Sequence, residues 1–450
     1  MGQYEKYKSV EQLWNLNFPA HWEVFPLCSM AKEKSICNCN EMELLSVYLD
    51  AGVVPFSKRT EKRTNTTSKD LSKYQRVDIG DFVLNNQQAW RGSVGVSKYT
   101  GITSPAYIIL SMNDQLTLDY ANYLFRSAIM VDQYLVASKG VGSIQRNLYW
   151  QELKRASVLV PPKNEQEQIV RYLNWKVSKI NKLIQGYQKQ IKLLEERKDT
   201  VIDNAVFRGI RNSDFMFSGN KLLGDIPKHW EIVKLRTLLK AISIKNHPTE
   251  QLLSVVREQG IIVRDIENKE SNHNYIPDDL SGYKLVEKGN FVINKMKAWQ
   301  GSYGVSDYRG IVSPAYYVFD LNYDYPPFFH IAIRSKRYVQ FFNQASDGIR
   351  VGQWDLSMSR MKEIPFVVPP ISEQKEIVTY IETKLAEFDS TKSSLEKQIA
   401  LFREYRTRLI SDVVTGQVDV RGIEIPDYVP TEDTSLDETN DTEEVTEDAD

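Results

Sequence analysis

Three cysteines, Cys28, Cys37 and Cys39, are all that the 450 residues contain, and they fall in one short stretch. Three clustered thiols cannot form a disulfide framework, and with no histidine nearby they do not make a zinc site. Long apolar runs are missing as well. Nothing approaches the roughly 20 residues that cross a bilayer, and the N-terminal MGQYEKYKSVEQLW lacks the apolar core of a secretion signal. These absences predict a cytoplasmic protein without membrane association. Catalytic signatures are equally scarce. There is no GxxxxGK[ST] loop for a nucleotide-driven motor, and Gly140-Val141-Gly142 is too short, and wrongly placed after a helix, for a dinucleotide or S-adenosylmethionine. Tyr325-Pro326-Pro327-Phe328 has Tyr where an amino-methyltransferase needs Asp, Asn or Ser. Nuclease-like fragments, Pro277-Asp278 and Glu267-Asn268-Lys269, lie in the wrong order. The five histidines are scattered, and His21 and His229, each beside a Trp, read as packing residues. The sequence predicts no active site, no metal and no cofactor held by this chain.

What is abundant is charge, unevenly spread. The formal net charge is −2, yet Asp427–Asp450 holds 11 acidic residues and no basic one. Without that stretch the chain has 57 basic against 48 acidic residues, a body of about +9. A basic body of this size points to an anionic partner such as nucleic acid. Residues 421–450 are expected to form a disordered acidic tail, being highly charged and nearly free of large apolar groups. Its plain role is solubility; a sharper one is a DNA mimic competing for the basic surface.

An internal repeat organises the rest. PAHWE at 19–23 returns as PKHWE at 227–231, and LLSV at 44–47 as LLSV at 252–255. Residues 74–107 and 283–316 align without gaps and are identical at 20 of 34 positions. VLVPPKNEQEQIV at 158–170 matches FVVPPISEQKEIV at 366–378. The unit is about 208 residues long, a globular half followed by a long helix. Short runs such as DFVL and AYIIL, with FVIN, YGVS and AYYVF in the second copy, predict strands of a twisted sheet. Segments 119–135 and 326–343 read as amphipathic helices against it.

The helical segments carry a heptad stripe. Leu173, Ile180, Tyr187 and Leu194 recur every seven residues, with Val177, Ile184 and Ile191 between them. The same stripe returns at Ile381, Phe388, Leu395 and Phe402 with Leu385 and Ile399, broken by Lys392 and Arg406. Each helix needs a partner for its stripe, and the simplest partner is the other helix. Asn164 and Ser372 are the candidate N-caps after the Pro-Pro pairs at 161–162 and 369–370. About 41 residues would run roughly 60 Å, a spacer length. The predicted fold is α+β. Two similar domains, 1–162 and 209–370, are joined by antiparallel coiled-coil helices at 163–208 and 371–415, with pseudo-two-fold internal symmetry.

Four features together resemble the specificity subunits of type I restriction–modification systems. They are the PxHWE segments, the N-x3-AWxGSxG…SPAY block, the PPxxEQxxIV helix starts, and LISDVVTGQVDVR at 409–421. The resemblance reaches about Gly422; Leu16 departs from it, standing where the second copy has Gly224. It implies a non-catalytic subunit with two target-recognition domains, each reading one half of a bipartite double-stranded DNA target, and helices that set the spacing. It also implies two modification subunits that methylate adenine N6 and two restriction subunits. S-adenosylmethionine, ATP and Mg²⁺ are then expected in those partners. The alternative is a free-standing two-domain DNA-binding or architectural protein.

The two copies locate the candidate readers. The framework Phe82, Asn85, Ala89, Trp90, Gly92 recurs as Phe291, Asn294, Ala298, Trp299, Gly301, while the residues between differ. Asn86, Gln87, Gln88 and Arg91 stand opposite Lys295, Met296, Lys297 and Gln300. Asn and Gln can bond adenine bidentately, and Arg and Lys can reach guanine O6 and N7. A second Gly-rich loop adds Lys139, Gln145 and Arg146 in one copy and Arg350 and Gln353 in the other. The competing reading is that these are solvated turns. Trp90 and Trp299 are expected in the core.

Overall fold

The structure, a computed structural model, describes residues 2–49, 51–58, 70–140, 146–265, 277–348 and 354–431. The chain divides into two compact units. The first takes in the described residues of Met1–Gln188 and Glu396–Glu443, the second those of Lys189–Leu395. Among the described residues no helix is long and apolar enough to cross a membrane, and no group of three or more His, Cys, Asp and Glu could hold a metal ion.

Each unit is built on a four-stranded antiparallel sheet. In the first the order is Ala31–Glu33, Tyr107–Met112, Phe82–Asn85, Val94–Val96; in the second, Leu239–Ile242, Tyr316–Leu321, Phe291–Asn294, Tyr303–Val305. Register repeats too: Tyr107 faces Asn85, and Tyr316 faces Asn294. Phe82–Asn85 and Phe291–Asn294, with Val94–Val96 and Tyr303–Val305 beside them, are short and almost wholly buried, which is why they read as apolar runs without alternation. Gly101 and Gly310 are fixed by closeness: a Cβ there would lie 2.3 Å from Glu43 O and 2.5 Å from Gln251 O.

The helices expected over 119–135 and 326–343 are each two. Leu118–Phe125 and Ala128–Val136 form one pair, Pro326–Ile333 and Lys336–Gln344 the other. Ser127 and Ser335 break them, both with extended backbone ahead of the second helix. Phe82 and Phe125 stack at 4.3 Å in the first unit, and Tyr303 and Phe342 at 4.1 Å in the second. At one matching place the chemistry differs. Val96 N–H donates to Asn122 Oδ1 (3.2 Å), and Val305 N–H donates to His330 Nδ1 (3.1 Å). Burial first, and then the Arg334 guanidinium, pushes His330 down to about 4, so it is neutral at pH 7.

The long helices are Lys163–Arg208 and Ile371–Val414, of 46 and 44 residues, roughly 65–70 Å each. They begin one residue before the expected caps: Glu165 and Gln166 N–H groups donate to Pro162 O, and Glu373 and Gln374 to Pro370 O. Asn164 and Ser372 are thus inside the first turn, because proline at the boundary already supplies the carbonyl. In both units the helices lie side by side and antiparallel. Tyr187 stacks on Phe402 at 5.9 Å in the first unit, and Lys198 pairs with Asp389 at 3.2 Å in the second. Leu173, Ile180, Ile184, Ile381 and Ile399 are buried. Val177, Tyr187, Ile191, Leu194, Leu385, Phe388, Leu395 and Phe402 are half-buried. Both polar breaks in the stripe have a partner on the facing helix: Lys392 with Glu195 (2.7 Å), Arg406 with Asn181 (2.7 Å).

The PxHW segments lock onto the helix starts. Glu165 accepts from Trp22 Nε1 (3.0 Å), Tyr4 (3.3 Å) and the His21 ring (2.6 Å). Glu373 accepts from Trp230 Nε1 (3.0 Å) and the His229 ring (2.8 Å). A glycine just beyond each long helix closes the same place. Gly416 (φ +73°) would put a Cβ 2.2 Å from Pro19, and Gly209 (φ +71°) would put one 3.1 Å from Trp230. Leu16, the departure from the repeat, pairs with Val10 in a four-residue strand ladder, where Gly224 instead turns the chain at φ +66°. Gly2 forms a bridge to Asp419, so the N-terminal and post-helix segments meet. Beyond Gly422 the stretch expected to be a tail is partly ordered. Ser178 Oγ donates to Val429 O (3.2 Å), and Asn181 Nδ2 to Thr431 O (3.1 Å). Residues 432–450 lie outside the described residues.

Candidate nucleic-acid interface

Each central strand ends in an asparagine that folds the following loop. Asn85 Oδ1 accepts the Gln87 N–H (3.2 Å), and Asn294 Oδ1 the Met296 N–H (3.2 Å). A single 3-10 turn follows, Ala89–Arg91 or Ala298–Gln300, with the alanine fully buried. Gly92 and Gly301, at φ +100° and +95°, close it in the left-handed region that glycine tolerates. The identical residues therefore hold the loop, and the differing ones stand on it. Gln87, Arg91 and Lys297 are exposed; Asn86, Gln88, Lys295 and Gln300 are half-buried. Asn86 Oδ1 itself is buried with no hydrogen-bond partner among the described residues.

The second loop is fastened to the first. Ser138–Lys139 pairs with Asn147–Leu148 as a hairpin, and Leu148 N–H donates to Asn86 O (3.0 Å). In the other unit Ser346–Asp347 pairs with Asp355–Leu356, and Leu356 N–H donates to Lys295 O (2.9 Å). Residues roughly 60 apart in sequence thus form one surface in each unit. Gln145, Arg350 and Gln353 lie outside the described residues.

The tryptophan expected in the core is the pivot of that surface. Trp90 and Trp299 are both half-buried at the loop. The Arg91 guanidinium lies 4.6 Å from the Trp90 ring centroid and that of Arg146 5.9 Å, while the indole N–H donates to Gln87 O (3.0 Å). In the second unit Trp354 takes the place of Arg146, and its ring lies 5.2 Å from Trp299. Position 354 carried no sequence signal by itself; only the 208-residue offset from Arg146 marks it.

Of the candidate lysines, Lys139 and Lys295 are paired, while Lys297 is exposed. Lys139 pairs with Glu152 at 2.7 Å, and that hydrogen bond holds its ammonium above the usual lysine range. At the equivalent place the charges are exchanged, Asp347 pairing with Arg360. Lys139 therefore braces the base of its hairpin. Lys295 pairs with Asp355 at 3.1 Å. Neither Arg91 nor Arg146 has an acidic partner among the described residues. The arrangement offers two chemically unlike surfaces on one scaffold. The first has two guanidinium groups set on an indole face, without an acidic partner among the described residues. The second has an aromatic pair, a lysine paired with Asp355 and the exposed Lys297.

Comparison with known proteins bears on this pair. The model of the type I restriction modification DNA specificity domain matches twice, over residues 19–193 and 227–400. The chain is similar to a type I restriction enzyme MjaIX specificity subunit of Methanocaldococcus jannaschii, 28% identical over 38% of each chain. It is also similar to a putative type I restriction enzyme MjaX specificity subunit of that organism, 21% identical over 78% of this chain and 81% of the other. The first of these matches spans well under half of the relative's length. A solved chain from work on complex assembly and conformational transition of the type I R-M system superposes with a TM-score of 0.60. It is 13% identical over 90% of this chain and 100% of its own, a likeness of fold.

Proposed function

The chain belongs to the type I restriction–modification DNA specificity family, and from that premise we propose that it is the non-catalytic subunit that selects the DNA target of a modification complex. Each recognition domain reads one half of a bipartite double-stranded sequence through the paired loops at 86–91 and 138–148, or 295–300 and 346–356, in the major groove. The antiparallel helices set the distance between the halves and carry two adenine-N6 modification subunits, with two restriction subunits in a full complex. S-adenosylmethionine, ATP and Mg²⁺ belong to those partners. The observation that carries the reading is the duplicated framework with unlike reading residues, Arg91 and Arg146 against Gln300 and Trp354. Two related domains that bound the same thing would have no reason to differ there and agree around it. A helix of roughly 65–70 Å suits two halves separated by roughly one turn of DNA, about 34 Å.

The test is co-expression with the neighbouring modification subunit in a methylation-free host, followed by single-molecule sequencing for N6-methyladenine. A motif of two short halves around a fixed unspecified gap is the expected result. A soluble complex that methylates nothing would overturn this function in favour of a free-standing DNA-binding protein.

A further inference from the structure

The pivot tryptophans differ between the units in one respect that decides what each surface can recognise. Arg91 and Arg146 come from separate loops, yet both guanidinium groups lie on Trp90, and the loops are tied by the Leu148–Asn86 hydrogen bond. An arginine stacked on an aromatic face keeps its N–H fork free while losing much of its rotamer freedom before any ligand arrives. Such a fork matches two acceptors side by side in one plane, and in the major groove guanine O6 and N7 present that pattern. A phosphate would use the charge without needing the pre-set plane. In the second unit Gln300 and Trp354 leave no guanidinium at either position, Lys295 is engaged by Asp355, and the exposed Lys297, opposite Gln88, offers a single ammonium rather than a planar fork.

We infer that Arg91 and Arg146, held on Trp90, are the residues through which the first recognition domain selects guanine, and that the second domain does not select guanine at the corresponding place. This rests on the reading of the paired loops as DNA readers. The experiment uses the full complex with its modification subunit and a panel of duplexes in which each base of either half-site is changed in turn. The wild-type first half-site is expected to contain guanine, and R91K and R146K, which keep the charge but lose the fork, to reduce discrimination at that guanine by about ten- to a hundredfold. Their salt dependence should be unchanged, and so should discrimination in the second half-site. R91Q combined with R146W, which gives the first loop the second loop's residues, should remove the guanine preference altogether.

The inference is overturned by a first half-site without guanine. It is also overturned by lysine variants that retain wild-type discrimination, or by a uniform fall over all duplexes with a shallower salt slope, the mark of phosphate contacts. Should R91Q/R146W not assemble, the lysine variants decide alone. Failure of the underlying reading looks different, because the wild-type complex would then yield no bipartite motif before any substitution is made.

Discussion

Set side by side, the two recognition units agree where the chain must fold and disagree where it can meet something else. The brace under the hairpin is the clearest case. Lys139–Glu152 in one unit is Asp347–Arg360 in the other, with the charges exchanged. What was kept through divergence is the pairing, not the sign, so the pair braces the hairpin in both units. Asn122 and His330 teach the same lesson: both accept one backbone N–H of the neighbouring strand, through an amide oxygen or a ring nitrogen. At the pivot tryptophans nothing equivalent was kept, and a pair of cations faces an aromatic ring across the comparison.

The contrast can be pressed at four places. The largest effect is expected at the glycines after the long helices. Gly416→Ala places a Cβ 2.2 Å from Pro19 at φ +73°, and should cost about 3–4 kcal/mol. Gly209→Ala, 3.1 Å from Trp230, should cost about half of that. Denaturant unfolding of the two variants measures both, and equal losses would break the asymmetry.

Next comes pH. His330 is held down to about 4 from an ordinary value near 6.5, so the unfolded chain takes up the proton first as pH falls. The second unit should keep its full stability above pH 6.5 and lose about 3 kcal/mol between 6.5 and 4. The first unit, with Asn122, lacks this dependence. H330N should flatten that part of the profile in hydrogen-exchange measurements of the second unit, and an unchanged slope would refute the assignment.

A smaller difference separates the locked glutamates. Glu165 accepts three side-chain hydrogen bonds and Glu373 two. E165Q should therefore cost about 2 kcal/mol and E373Q about 1 kcal/mol. Thermal shifts of the paired variants check the ratio. Smallest is the exposed brace. K139D should lower stability by the least of the set, and K139D with E152R, which copies the second unit, should restore it. A double-mutant cycle with no coupling would show that the exchanged charges are incidental.

The heptad stripe was legible because burial on one helix face writes its period directly into the sequence. Even its interruptions were visible, although the partners of Lys392 and Arg406 needed the antiparallel register to be found. The fold of the loops at 86–91 and 295–300 was legible through the repeat, since two copies separate the residues that fold the loop from those that do not. Two features escaped. The Trp–Glu locks join residues 143 apart, Trp22 to Glu165 and Trp230 to Glu373. Both partners stood out as repeated motifs, but nothing local says that one motif binds the other. The clustering of Arg91 and Arg146 on Trp90 escaped for a related reason. A hydrogen bond between backbones of distant loops leaves no trace in composition. The tryptophan looked like core because bulk and repetition are shared by residues that fill an interior and residues that support a surface.

The segment that seals the first unit follows the second long helix, and this has a consequence for synthesis. The first unit needs Gly416 against Pro19 and Asp419 against Gly2, residues separated by almost the whole chain. The second unit is continuous from Lys189 to Leu395. On the ribosome, the domain translated first is thus the last to be completed, and its neighbour can reach its native form while the earlier one still waits for half a helix and the segment that follows it. A chain interrupted before residue 396 would leave the second reader finished and the first one open.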